Sequence, residues 1–307
     1  MLVGLAVLMV TVERLLRGRA RYRQALGRGD AVEPRRLHGW KAWAASAPGF
    51  ALLGVFFVLP VVQLVAWSAE TIIGDQLAAD LVDAARNTLV LGAVAALIAV
   101  FTSVVVVYGQ RTQPSRVGRL AAQLATVGYA VPGTVVAVAV FIPLVWLDRR
   151  VADFAQALLD ARVGLVFTGT ILGLLVAYLV RFHAVAYFAV ESRMSGISAN
   201  LDDAARALGA GRARVLTDVH LPLLRPGLLT AGLLVLVEVM KELPATALLR
   251  PLGGDTLAIT VWEATKDSRF DAAALPALLI VAVGIIPVIL LVRLLRTSGW
   301  SSAAEQL

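Results

Sequence analysis

An all-α, polytopic membrane fold is what this sequence predicts, and three observations carry it. Apolar residues make up 59% of the chain, above the roughly 45–50% of soluble domains, and mean hydropathy is +0.81. The apolar residues gather in runs that approach the roughly 20 residues needed to cross a bilayer core. The connections between runs alternate in charge, the pattern left when Lys and Arg accumulate in cytoplasmic loops.

The first run, residues 1–16, is apolar from Met1 onward. No basic stretch precedes it and no small-residue cleavage site follows, so it reads as a membrane helix and not as a signal peptide. It is short for a full span. Residues 17–44 form a basic linker, with Arg17, Arg19, Arg21, Arg23, Arg28, Arg35, Arg36 and Lys41, interrupted by Gly18, Gly27, Gly29 and Pro34. Such a stretch suits a connector between membrane units, in contact with anionic lipid.

Further apolar runs follow at roughly 47–69, 87–109, 119–147, 163–189, 227–249 and 273–295. The loop before 87 holds Glu70, Asp75, Asp80 and Asp83 against Arg86. The next holds Arg111, Arg116 and Arg119, the loop at 148–162 is mixed, and 190–226 is again rich in Arg. The last run ends at Arg293 and Arg296. Seven crossings put every Arg-rich loop in the cytoplasm, with the N-terminus periplasmic and the tail 297–307 cytoplasmic. The six-helix body is then residues 45–296. Gly128-Tyr129-Ala130-Val131-Pro132-Gly133 is a hinge-like break in the fourth run.

Several chemistries are excluded. There is no cysteine, hence no disulfide, thiol nucleophile or Cys-based metal site. His38, His183 and His220 are too far apart in sequence to suggest a metal site by spacing. No metal, catalytic residue or cofactor is expected. The chain has no G-x-x-x-x-G-K-[ST] and no serine-nucleophile motif, so ATP hydrolysis of its own is not expected. The net charge of +7 sits in short loops beside apolar runs, which argues for a bilayer partner and against nucleic acid.

Two polar segments carry the functional signal. In 198–226, Asn200 is placed to cap a helix whose first turn holds Asp202 and Asp203, where negative charge suits the dipole. Ala204, Ala205 and Ala207 give that helix a small-residue face, and Gly209 and Gly211 break it. A second short helix follows with Val215, Leu216 and Val219 on one side, ended by Pro222 and Pro226. Such a pair either packs on its own bundle or serves as a docking knob for a soluble partner. In the sixth run, Glu238, Lys241 and Glu242 share an i, i+3, i+4 face near mid-span. Pro244 disfavours regular helix just before it. The stripe is either a structural ion pair or the lining of a path, since ionisable groups at that depth default to function.

Asp203-Ala204-Ala205, then Gly209 after three residues, then Val219-His220-Leu221-Pro222 after nine more, resembles the cytoplasmic "EAA" loop of binding-protein-dependent ABC importer permeases. Asp203 stands where that family usually has Glu, and Val219 where it usually has Ile. The run Glu238 to Thr246, continuing through Leu248-Leu249-Arg250-Pro251 and Asp255-Thr256-Leu257-Ala258, is similar to the second half of ferric-iron ABC permeases, and the likeness covers about residues 45–296. Residues 1–16 and the basic linker then look like the last helix of a preceding half and its connector.

The resemblance implies a type I ABC importer permease fold with a cytoplasmic coupling helix, in a bacterial inner membrane. It implies ATPase coupling through Asp203, Ala204, Ala205, Leu208, Gly209, Leu221 and Pro222, and a translocation path near Glu238, Lys241, Glu242 and Pro244. The implied partners are an ABC ATPase dimer, a periplasmic substrate-binding protein and a second permease half, either an N-terminal half or another copy. Ferric iron is the implied substrate, with thiamine, a phosphonate or a polyamine as alternatives. A secondary transporter with Glu238 as carrier, or a membrane scaffold, would need no docking helix.

The topology is testable because the chain lacks cysteine. A single cysteine at Ser268 should label from the periplasm, and one at Ser198 only after permeabilisation. Labelling of both from one side would contradict the assignment.

Overall fold

The computed structural model describes residues 37–70, 75–160 and 164–304, with side-chain surroundings for all of these but 70, 75–78, 159, 291 and 294–304. The expected run at 1–16 and most of the basic linker lie outside the described residues. The chain divides after Gly54 into two compact units. The first contributes α1 (Trp40–Leu53), which buries none of its residues. A π turn at Gly54–Val58 leads to α2 (Leu59–Glu70).

The second unit continues with α3 (Asp75–Thr112), α4 (Arg116–Val127), α5 (Gly133–Leu159) and α6 (Ile171–Ser195). A compact polar loop carries α7 (Ala199–Ala207) and the short α8 (Arg212–Arg214). Then come α9 (Leu221–Met240), α10 (Pro244–Leu249), α11 (Leu257–Lys266) and α12 (Phe270–Ala304). Among the described residues there is no strand.

Five stretches among the described residues are long and apolar enough to cross a membrane: Trp40–Ala69, Ala79–Thr112, Ile171–Ser195, Arg212–Met240 and Phe270–Leu290. They fall on the expected runs at 47–69, 87–109, 163–189, 227–249 and 273–295. Of the acids expected in a loop before residue 87, Glu70 ends α2, and Asp75, Asp80 and Asp83 lie in α3, which begins at Asp75.

The run at 119–147 is the exception, because it is two helices. Ser115 caps α4 by accepting a hydrogen bond from the Gly118 N–H at 2.9 Å. Val117, Leu120, Leu124 and Val127 form an exposed apolar stripe on α4, spaced by helical turns from Arg116, Arg119 and Gln123. The segment is amphipathic, not uniformly apolar. A 3₁₀ turn at Gly128–Ala130 and Pro132 then separate it from α5, at the place where the glycines and proline signal a hinge.

The core is the mutual packing of α3, α6 and α9. Its contacts come from Leu91, Ala95 and Ala99 on α3, Leu174, Ala177, Tyr178 and Phe182 on α6, and Ala231 and Val235 on α9. In lipid there is no hydrophobic drive between helices, so close approach of small residues supplies the packing. Gly92 shows how close: a Cβ there would stand 2.7 Å from Leu236 Cδ1. Around this trio, α5 packs on α6, α12 on α9, α2 on α12, and α11 on α12.

Two anchors fix the connections at one end. Asn87 Nδ2 donates to the Asp255 carbonyl at 3.0 Å, and Thr88 Oγ1 accepts from the Leu257 N–H at 2.9 Å. Asp148, near the end of α5's apolar stretch, is buried and accepts from the Val166 and Phe167 N–H groups at 2.9 and 2.8 Å through Oδ1, and from Thr168 N–H at 2.8 Å through Oδ2. Burial pushes the Asp148 carboxyl up. Hydrogen bonds from Thr168, Phe167 and Val166 more than reverse this and hold it down at about 2.

Because the folded value is depressed, Asp148 stabilises the turn into α6 above the ordinary carboxylate range, near pH 4. That stabilisation is lost as pH falls through about 2. Asp148→Ala should therefore lower the melting temperature in detergent at pH 7, and the gap to wild type should close towards pH 2. A gap independent of pH would contradict this.

Candidate functional site

The polar loop between α6 and α9 has an inner and an outer side. Its helix, α7, starts two residues earlier than the sequence suggests. Ser198 is the N-cap and its hydroxyl accepts from the Asn200 N–H at 3.3 Å, so Asn200 lies inside the first turn. The helix ends in a Schellman motif, with Ala210 N–H donating to Ala205 O at 3.0 Å and Gly209 N–H to Arg206 O at 2.9 Å. That closure requires the left-handed backbone of Gly209, at φ +84°. A Cβ there would meet no atom within 4 Å, so conformation and not crowding within the chain demands glycine.

The two neighbouring acids face opposite ways. Asp203, Ala204 and Ala207 are exposed, and Leu208 is 89% exposed. Asp202 is 6% exposed and lies at a junction that the sequence reading missed. Arg111 Nε, from the end of α3, donates to Asp202 Oδ2 at 2.8 Å, while His220 Nε2, from the start of α9, donates to Oδ1 at 2.8 Å. Arg111 also donates to the carbonyls of Met194 at 2.8 Å, Ile197 at 2.9 Å and Ser198 at 3.2 Å. The Tyr108 ring lies 5.5 Å from that of His220, centre to centre and steeply inclined to it, and its hydroxyl donates to the Arg212 carbonyl at 2.6 Å. Burial pushes the Asp202 carboxyl up, but Arg111 first and His220 second hold it below the usual carboxylate range.

The remaining coupling candidates continue this loop. Val215 and His220 are fully buried, Leu216 and Leu221 are partly buried, and Pro222 is exposed. The prolines do not end the second helix. A π turn at Val215–His220 carries the chain into α9, which accommodates Pro222 in its first turn and Pro226 inside.

The second polar cluster lies where α9 stops. The helix ends at Met240, and Pro244, which cannot donate to the Met240 carbonyl, becomes the first residue of α10. This break divides the expected stripe of three. Lys241 Nζ pairs with Glu238 Oε1 at 2.9 Å and is largely exposed. Glu242, 4% exposed, turns instead to Arg181 of α6, whose Nε lies 2.9 Å from Glu242 Oε2. Glu242 Oε1 also accepts from the Ala245 N–H at 3.0 Å, capping α10. Thr246, in turn, donates to the Glu242 carbonyl and contacts the Tyr178 hydroxyl, each at 2.7 Å.

Arg181 lies two residues from the midpoint of α6, Ile171–Ser195. It also touches the other broken helix. A Cβ on Gly128 would collide with the Val180 carbonyl, and one on Gly133 with the Arg181 guanidinium. Both elbows therefore rest on one turn of α6. A lone Arg within the apolar run 163–189 was the available signal, because an intramembrane charge implies a partner.

The pairing predicts unequal mutational costs. Arg181→Met strands the buried Glu242, a loss of the order of 3–5 kcal/mol. Lys241→Met opens an exposed pair and should cost under about 1 kcal/mol. Thermal unfolding in one detergent measures both, and equal losses would contradict the assignment.

Comparisons with known proteins bear on the fold and the family. The chain is 27% identical over 252 residues to the Fe(3+)-transport system permease protein FbpB 2 of Haemophilus influenzae, covering 79% of this chain and 46% of that protein. It is 33% identical over 137 residues to a Salmonella choleraesuis permease named for 2-aminoethylphosphonate transport, covering 44% of this chain and 50% of that one. The chain thus spans about half the length of these curated relatives. Its fold matches a chain of a bacterial alginate ABC transporter, crystallised with an alginate pentasaccharide-bound periplasmic protein. There the TM-score is 0.63 at 16% identity, over 85% of this chain and 94% of that one. The all-α bundle is accordingly an ABC importer permease fold. Residues 107–298 match the family described as the binding-protein-dependent transport system inner membrane component, and the chain belongs to that family.

Proposed function

We propose that this chain is a permease half of an ABC importer in a bacterial inner membrane. It takes a solute from a periplasmic binding protein and passes it to the cytoplasm, with energy from a separate ATPase dimer. The observation that carries this reading is the outer side of α7. A capped, rigid helix presents Asp203, Ala204, Ala207, Leu208 and Gly209 to solvent while its inner side is bonded to the bundle. Leu208, 89% exposed at the end of that helix, is an apolar group that a partner's cleft would cover. The orientation follows the sequence alternation, with α7 in the cytoplasm, the N-terminus periplasmic and the C-terminus cytoplasmic.

Ferric iron is the substrate we favour, on the likeness of residues 238–258 to iron permeases and the 27% identity over 252 residues, against 26% over 268 for a molybdenum permease of Haloferax volcanii and 33% over 137 for the phosphonate relative. A 2-aminoethylphosphonate importer is the second reading, favoured by the higher identity over that shorter stretch. The path runs beside Glu238, Lys241, Glu242 and Pro244, and a second permease half completes it. Assembling the chain with its ATPase and binding protein, and asking which solute raises ATP turnover, tests both readings.

Docking can be tested without knowing the solute. Leu208 makes almost no contact within the chain, so Leu208→Asp should change stability by no more than about 0.5 kcal/mol. It should nevertheless reduce capture of the ATPase about thirtyfold, because loss of a hot-spot side chain costs about 2 kcal/mol. Gly209→Val should also fail to dock, because a β-branched residue at φ +84° breaks the helix closure. Wild-type capture by both variants would contradict the docking face.

A further inference from the structure

The docking reading leaves open how a push on α7 reaches the membrane helices, and the inner side of the loop answers it. We infer that Asp202, Arg111 and His220 are positioning residues. They form a clamp that joins α7 to the ends of α3, α6 and α9, so that displacement of α7 moves the three core helices together. This inference rests on α7 being the ATPase-docking helix. It assigns the transmission role to Asp202, the acid beside the exposed Asp203.

The geometry is specific. One carboxylate receives Arg111 from α3 through Oδ2 and His220 from the start of α9 through Oδ1, both at 2.8 Å. The same guanidinium donates to the Met194 carbonyl in the last turn of α6, and to Ile197 and Ser198, which lead into α7. Without these bonds, α7 would hang between short links at Gly196–Ser198 and Gly209–Gly211, where three glycines allow a pivot. The helix itself is stiffened by its cap and its Schellman closure. The clamp is also placed where α3, α6 and α9 already pack as the core.

Stability alone is a poor reason for such a cluster. A buried ion pair often contributes little net stability over an apolar replacement, although removing one partner is costly. What the pair supplies is a fixed direction. Arg111 is a planar fork that engages four acceptors, which neither Lys nor a neutral side chain can reproduce. His220 is fully buried and has a single described partner for its ring nitrogens, Asp202.

The test uses the full chain in nanodiscs with its ATPase and its cognate periplasmic binding protein, and reads two quantities. These are capture of the ATPase and the factor by which the binding protein stimulates ATP hydrolysis. The double variant Arg111→Met with Asp202→Asn removes both charges and leaves none stranded. It should accumulate in the membrane and capture the ATPase, while stimulation falls about tenfold, within the 5–150-fold range of coupling between sites. Arg111→Lys, which keeps the charge and loses the fork, should fall between wild type and the double variant. If the double variant does not accumulate, His220→Gln, which removes one bond, should still reduce stimulation severalfold. Wild-type stimulation in whichever of these variants captures the ATPase would overturn the clamp, because a merely structural pair would be rescued by neutralising both partners. Failure of the wild-type chain to capture the ATPase would overturn the docking reading, and the clamp with it.

Discussion

Arg111 is the contact on which this end of the molecule depends. The end of α3, the end of α6 and the first turn of α7 meet at its guanidinium, and His220 adds the start of α9 through the shared Asp202 carboxylate. Four chain segments are thereby held by two side chains and one acid. Asp202 is buried and its two bonds are each 2.8 Å, so water competes little for them. The outer face of α7 is free to carry Asp203, Ala204 and Leu208 because the inner face meets the loop's structural needs. The helix is held by tertiary bonds as well as by its own caps, which is the stiffness that the proposed docking would need.

Some twenty ångströms away along α6, a second polar junction follows a similar logic. Two helices break, one at Gly128–Pro132 and one after Met240; the first rests on Val180 and Arg181, and the second meets Arg181 through Glu242. In lipid, the backbone groups freed at a break need partners inside the protein. Glu242 supplies one by accepting the Ala245 N–H while its other oxygen meets Arg181. Discontinuous helices near mid-bilayer recur in transporters, where they let half-helices move against each other around a central site. The small residues of the α3–α6–α9 core provide the rigid reference for such movement.

Much of this was legible in the sequence, and what was legible was local. Apolar runs marked five of the spans because length and hydropathy are properties of a single stretch. Pro244 and the Gly128–Gly133 segment announced both elbows, since proline and glycine act on their own backbone. The alanines and Gly209 announced a short helix and its end for the same reason. The misreadings are tertiary or marginal. Asp202 and Asp203 look alike in sequence, and only Arg111, 91 residues away, separates their roles. The stripe of three charges failed because the helix ended one residue before Lys241, which turned Glu242 towards a partner on another helix. The run at 119–147 was read as one span because Leu120, Leu124 and Val127 make α4 apolar enough to join the run of α5, while the polar face with Arg116, Arg119 and Gln123 shows only once the helix is wound.

The central claim is that α7 and the core helices move as one body. Spin labels at Asn200 on α7 and Gln113 at the end of α3, both exposed, can be placed in a chain that has no cysteine of its own. Their separation should be measured in the assembled transporter without nucleotide and with ATP trapped. The account predicts one narrow distance distribution, unchanged between the two states. A distribution that shifts or broadens when ATP binds would mean that α7 pivots on its links, and would contradict transmission through the Asp202 junction.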